Sequence, residues 1–208
     1  MKVEDYYPLE SSERKASEWV KGLDRKRRWK GVTGKCALLV IDMQNFFLDP
    51  GSHAFIPSSS TVLVKVQQLL KRFPGPVIFT RHENDAGGKN LMSVWWRGVV
   101  NGDMSRLHPD IDTRGMPVLR KEHYSAFRGT GLEEMLSGMG IETVAVSGVM
   151  TDLCCESTVR DAFMRGFKPI LLADCTGTIS EEAHLASLKV ISRAFGEVLT
   201  SEELMLRL

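Results

Sequence analysis

Two adjacent cysteines, Cys154 and Cys155, follow an apolar run and open a helical pattern in TVAVSGVMTDLCCESTVRDAF. A thiol in the first turn of a helix faces unpaired N–H groups and the positive end of the helix dipole. Both favour thiolate over thiol and so make a nucleophile. The pair also reads as small apolar filler between strand and helix, since free cysteine is commonly buried. Asp42 ends the run CALLVID, and Lys121 follows the run PVLR. A carboxylate and an ammonium therefore also stand at predicted strand ends. Brought to one edge of a sheet, Asp42, Lys121 and a cysteine of the pair supply a base, a cation and a nucleophile. The carboxylate takes the thiol proton as sulfur attacks a carbonyl carbon, and the ammonium favours the anionic forms. Backbone N–H groups at the corner before the helix can hold the oxyanion.

Positioning such groups requires a parallel sheet. Residues 36–42, 143–147 and 169–175 are short continuous apolar runs, the pattern of central strands covered on both faces. VIFT after Pro76, PVL at 117–119 and GEVLT at 196–200 complete six strands. Amphipathic helices are expected at 61–73, in GLEEMLSGMG closed by Gly140, from about Asp152 with Leu153, Val159, Ala162 and Phe163 apolar, and at 181–195. This alternation predicts an α/β fold of three layers, a doubly wound and mostly parallel six-stranded sheet with helices on both faces. Reversal of the chain direction at strand one gives the order 3-2-1-4-5-6 and puts a ligand crevice between strands one and four, at their carboxyl ends. Residues 1–34 read as an N-terminal helical extension and 35–208 as the main domain. Ser11 or Ser12 is expected to cap the extension's helix, with Trp19, Val20 and Leu23 on a face that packs on the main domain or on a second subunit.

With 208 residues, 43% of them hydrophobic, the chain can bury one sizeable core. Its 27 basic and 26 acidic residues leave a net charge of +1, which argues against a nucleic-acid or anionic-membrane partner. The basic stretch KGLDRKRRWK at 21–30 reads as a solvated face. No apolar run approaches the roughly 20 residues that span a bilayer, and MKVEDYYPLE lacks the apolar stretch of a signal peptide. A cytoplasmic location is expected. Four cysteines, Cys36, Cys154, Cys155 and Cys175, with no CxxC pair, fit a reduced compartment.

The segments LLVIDMQNFF, RKEHYSAFRGTGLEEML and VSGVMTDLCCESTVRDAF resemble, in that order, the three signature segments of the isochorismatase-like cysteine hydrolase family. The resemblance implies Asp42, Lys121 and Cys154 as catalytic residues, the nucleophile standing four residues before Thr158 with Cys155 as its neighbour. It implies a non-proline cis peptide at Val149–Met150 and the N–H groups of Met150 and Cys154 as oxyanion donors. The activity implied is hydrolysis of a C–N bond in a small amide or ureido compound through a covalent thioester. Nicotinamidases of this family carry a metal site that includes a TxDxH-like segment, where this chain has Thr80-Arg81-His82-Glu83. No metal and no cofactor are expected, the partner is a small-molecule substrate, and relatives imply a homodimer or homotetramer. Two other readings stand beside this one. Isochorismatases proper cleave a vinyl ether without a cysteine, and the tail of the chain resembles theirs, but they have glycine at the position of Cys154 and Tyr-Ala-His where Met150-Thr151-Asp152 stand here. A non-enzymatic binding protein on the same fold is the third. Substrate contacts are expected from Gln44, Phe47, His82, Trp95, Trp96 and Tyr124, with Gln44 as the chief polar one.

Overall fold

The computed structural model describes residues 3–23, 32, 34–84, 91–96 and 100–208. Most of the basic stretch at 21–30, and parts of the segment from His82 to Val100, lie outside the described residues. In chain order, α1 (Ser12–Lys21) precedes β1 (Lys35–Ile41), and α2 (Asn45–Leu48) and α3 (Ser59–Arg72) lead to β2 (Val77–His82). α4 (Leu91–Trp95), α5 (Gly102–Ser105) and β3 (Val118–Lys121) follow, then α6 (Leu132–Gly138) and β4 (Ile141–Val149). A π-helical turn, Thr151–Cys155, runs straight into α7 (Glu156–Met164). β5 (Lys168–Gly177), α8 (Glu181–Ala194), β6 (Glu197–Leu199) and α9 (Ser201–Met205) complete the chain.

The strands pair in the order β3-β2-β1-β4-β5-β6, each pairing parallel, as the switch-point argument predicts. Right-handed crossovers carry the chain outward from β1 to β3 and, after the reversal, from β4 to β6. The two sets of connecting helices therefore cover opposite faces. β1, β4 and β5 are buried almost end to end, which is why their sequences read as continuous apolar runs. The edge strands β3 and β6 are only four and three residues long, which limits the unpaired backbone they expose. No described helix is long and apolar enough to cross a membrane.

α1 packs its apolar face on its own domain. Ala16, Trp19 and Val20 are buried in the common core, and the Trp19 ring lies 4.9 Å from Tyr7 and 4.6 Å from His184 of α8, centroid to centroid. The serine cap expected there is not made: Ser11 Oγ and Ser12 Oγ donate backwards to the carbonyls of Pro8 and Leu9, so a short 3₁₀ turn precedes the helix instead.

Between β1 and β4 the backbones lie so close that a Cβ on Gly148 would fall 2.0 Å from the Ile41 carbonyl oxygen, and Gly148 has φ +105°. Ile41 precedes Asp42, so this approach decides where the carboxylate leaves the sheet. Gly148→Ala is expected to cost more than about 1 kcal/mol of stability and to lower activity in the protein that still folds. Urea unfolding checks the first effect, and an unchanged midpoint would show that the two strands can separate without penalty.

Candidate active site

β1 ends at Ile41, and Asp42 turns out of the sheet with φ 49°, a left-handed conformation that aspartate tolerates better than most residues. β2 anchors it: the Asp42 N–H donates to the Thr80 carbonyl, and the Thr80 hydroxyl donates to Asp42 Oδ1 at 2.7 Å. Lys121 ends β3, two strands away, in register with His82 of β2. Its long side chain crosses the end of β2. Nζ lies 2.6 Å from Asp42 Oδ2 and 3.3 Å from Cys154 Sγ, and donates to the His123 carbonyl at 2.9 Å. Both charged side chains are 0% exposed, so the pair is wholly out of water.

Burial works against the charge on Lys121. Asp42 and Cys154 outweigh it and hold the lysine above its ordinary range. For Cys154 the balance goes the other way. Burial pushes the thiol up to about 12, with Lys121 opposing the shift and Asp42 adding to it. The stabilisation of a thiolate expected at a helix N-terminus is thus opposed here by burial. Desolvation outweighs the favourable partners, and the residue lies in a π turn rather than the first turn of an α-helix. Burial also raises the Cys36 thiol to about 12, but Cys36 has no cation beside it, whereas Cys154 has Lys121. Cys155 is fully buried, with Sγ turned toward the Ser147 carbonyl at 3.8 Å.

The turn is held from several sides. The Thr158 hydroxyl donates to the Cys154 carbonyl at 2.7 Å and accepts from the Ala126 N–H at 3.0 Å, tying α7 to the loop after β3. Thr151 Oγ1 meets His184 Nδ1 at 2.9 Å, and the Thr178 hydroxyl donates to Asp152 at 2.5 Å. The Val149–Met150 peptide is cis.

A narrow cavity of about 20 Å³, room for a water, opens beside Cys154. Phe47, His82, Trp96 and Tyr124 line it, and Trp96 Nε1 donates to the Tyr124 hydroxyl at 3.1 Å. His82 is held neutral, its pKa lowered to about 4 by burial and by Lys121, and its Nδ1 has no hydrogen-bond partner among the described residues.

Two expected contacts are corrected. Gln44 does not line the cavity: its amide donates to the carbonyls of His82 and Ser105, each at 2.8 Å, and accepts from the His82 N–H at 2.7 Å. Both of its donors and its oxygen are thus engaged in tying α5 to β2. Trp95 is 76% exposed and points away, because neighbouring positions on a helix face different sides. Reasoning from sequence missed Phe46, Asn84, Met92, Val100 and Leu153 as wall residues, and Thr80 as the anchor of Asp42. Phe46, adjacent to Phe47 in QNFF, carried the clearest signal. His82 is the one histidine in the wall, and no group of three or more His, Cys, Asp or Glu among the described residues is arranged to hold a metal ion.

Known proteins share this arrangement of chain. Residues 36–203 match the family model of the isochorismatase domain. Nicotinamidase 3 of Arabidopsis thaliana is 36% identical over 175 residues, 81% of this chain and 86% of its own. Enterobactin synthase component B of Escherichia coli K12 is 32% identical over 188 residues, 85% of this chain, which spans 65% of that longer protein. A solved cysteine hydrolase from Pseudomonas syringae pv. phaseolicola 1448A superimposes with a TM-score of 0.78 at 25% identity, covering 86% of this chain and 97% of its own. With the family model spanning most of the sequence and a relative 36% identical over 81% of it, the chain belongs to the isochorismatase family of hydrolases.

Proposed function

We propose that the chain hydrolyses a C–N bond in a small amide or ureido compound through a thioester on Cys154. One observation carries this reading: a buried ammonium, Lys121 Nζ, lies within 2.6 Å of a carboxylate and 3.3 Å of a thiol. Asp42 takes the thiol proton as Sγ attacks the substrate carbonyl carbon, and the N–H groups of Met150 and Cys154 hold the oxyanion. Asp42 then delivers the proton to the leaving nitrogen, which departs as ammonia or an amine. A water that gives its proton to Asp42 attacks the thioester, the C–S bond breaks, the proton returns to sulfur, and a carboxylic acid leaves. The elevated thiol pKa fits a proton transferred during attack rather than a standing thiolate. Lys121, 2.6 Å from the carboxylate and 3.3 Å from the thiol, stabilises charge as it moves to sulfur. His82, Phe47, Trp96 and Tyr124 contact the substrate. The nicotinamidase relative and the solved cysteine hydrolase support the C–N and thiol parts of this reading.

A panel of small primary amides and ureido acids, with ammonia release as the readout, tests it. Acid quenching during turnover should trap a mass increase on the peptide bearing Cys154. Ammonia release without any adduct on that peptide would reject the thioester.

A further inference from the structure

A second cavity, of about 490 Å³, opens between α1, α3 and α9 and shares no lining residue with the site around Cys154. Its size falls within the roughly 300–1,000 Å³ of small-molecule pockets. Ala16 and Val20 of α1, Leu69 of α3 and Met205 of α9 give it apolar walls. Into it faces Lys65, on the buried stripe of α3 between Thr61 and Leu69 at four-residue spacing, with its side chain 9% exposed.

A nearly buried ammonium needs acceptors for its three N–H donors. Among the described residues its ion-pair contact is Glu13 Oε1 at 3.5 Å, the outer limit of a hydrogen bond, from a side chain 91% exposed. The other acidic groups of the wall are committed elsewhere. Asp174 accepts from the Ser201 N–H at 2.7 Å and the Ser201 hydroxyl at 2.5 Å, Glu202 pairs with Arg72 at 2.8 Å, and Glu203 accepts from the Thr200 N–H at 2.9 Å. Lys65 thus presents donor capacity to a half-apolar cavity.

We propose that this cavity binds a small organic monocarboxylate, its oxygens accepting from Lys65 Nζ and its apolar body lying on Ala16, Val20, Leu69 and Met205. A carboxylate is a stronger acceptor than a neutral group for a nearly buried ammonium whose pairing with Glu13 is long and solvent-exposed. A phosphate dianion would face the buried Asp174 carboxylate close to Lys65, so a single negative charge suits the site. The proposal is independent of the chemistry assigned to Cys154.

Benzoate and hexanoate are the probes, with benzamide as the uncharged control, titrated into the full chain carrying Cys154→Ala so that no amide turns over. The expected result is a rise in Tm with either carboxylate, none with benzamide, and density beside Lys65 in soaked crystals. Lys65→Met keeps an apolar stem but removes the donors and should abolish the response. Gln68→Trp narrows the cavity from an exposed position of α3, leaves the core untouched, and should weaken binding at least tenfold. Circular dichroism verifies that each variant folds, and Gln68→Trp keeps the test if Lys65→Met does not. Equal binding by the parent and both variants would place the carboxylate elsewhere and overturn the proposal. So would no response to either probe at about 10 mM, ten times a millimolar Kd.

Discussion

Cys154→Ala is expected to lower kcat on the true C–N substrate by roughly 10⁵- to 10⁶-fold, the scale of removing a covalent nucleophile whose partners act as a unit with it. The residual rate would come from oxyanion donors and binding alone. Stability should change little, because the substitution removes a single sulfur from a site that already holds a small cavity beside it. Steady-state rates and a thermal melt on the same preparation give both numbers. The variant also separates the competing chemistries. A Cys154→Ala protein that retains full amide hydrolysis would end the thioester reading, and one that retains hydrolysis of a vinyl ether such as isochorismate would turn the assignment to that branch of the family.

Lys121→Met is expected to act on stability and rate together. The side chain is wholly buried against Asp42, and removing one member of a buried ion pair strands the other, which costs about 3–5 kcal/mol. Turnover should fall by about 10²- to 10³-fold or more in the folded fraction, the scale of losing one group that stabilises developing charge. A double variant, Asp42→Asn with Lys121→Met, distinguishes the two effects. Asparagine suits the left-handed backbone at position 42 and carries no charge, so much of the lost stability should return while activity does not. Chemical denaturation of both singles and the double supplies the cycle. Wild-type stability and kcat/KM in Lys121→Met would remove the lysine from the mechanism.

The α/β alternation, the sheet order and the strand ends carrying Asp42 and Lys121 were legible in the sequence, because each depends on patterns local to a strand or helix. Continuous apolar runs mark strands buried on both faces, and a reversal at β1 leaves few ways to wind the sheet. Other features depend on which groups meet across the fold. Gln44 looked like a ligand contact because an exposed and a spent amide have the same sequence, and only the packing of α5 against β2 consumes its donors. Trp95 and Trp96 are adjacent in sequence, and helix orientation alone turns one to solvent and the other to the cavity. The helix dipole alone did not reveal the burial that raises the Cys154 thiol, because burial is a property of the whole fold. Lys65 did carry a local signal, a lysine on the apolar stripe of TVLVKVQQLL, but the space in front of it exists only once α1 and α9 close over α3. Sequence thus determined the frame and the residue types at its carboxyl edge. Tertiary structure decided their desolvation, their partners and the volumes between them, because burial and hydrogen-bond satisfaction are summed over neighbours distant along the chain.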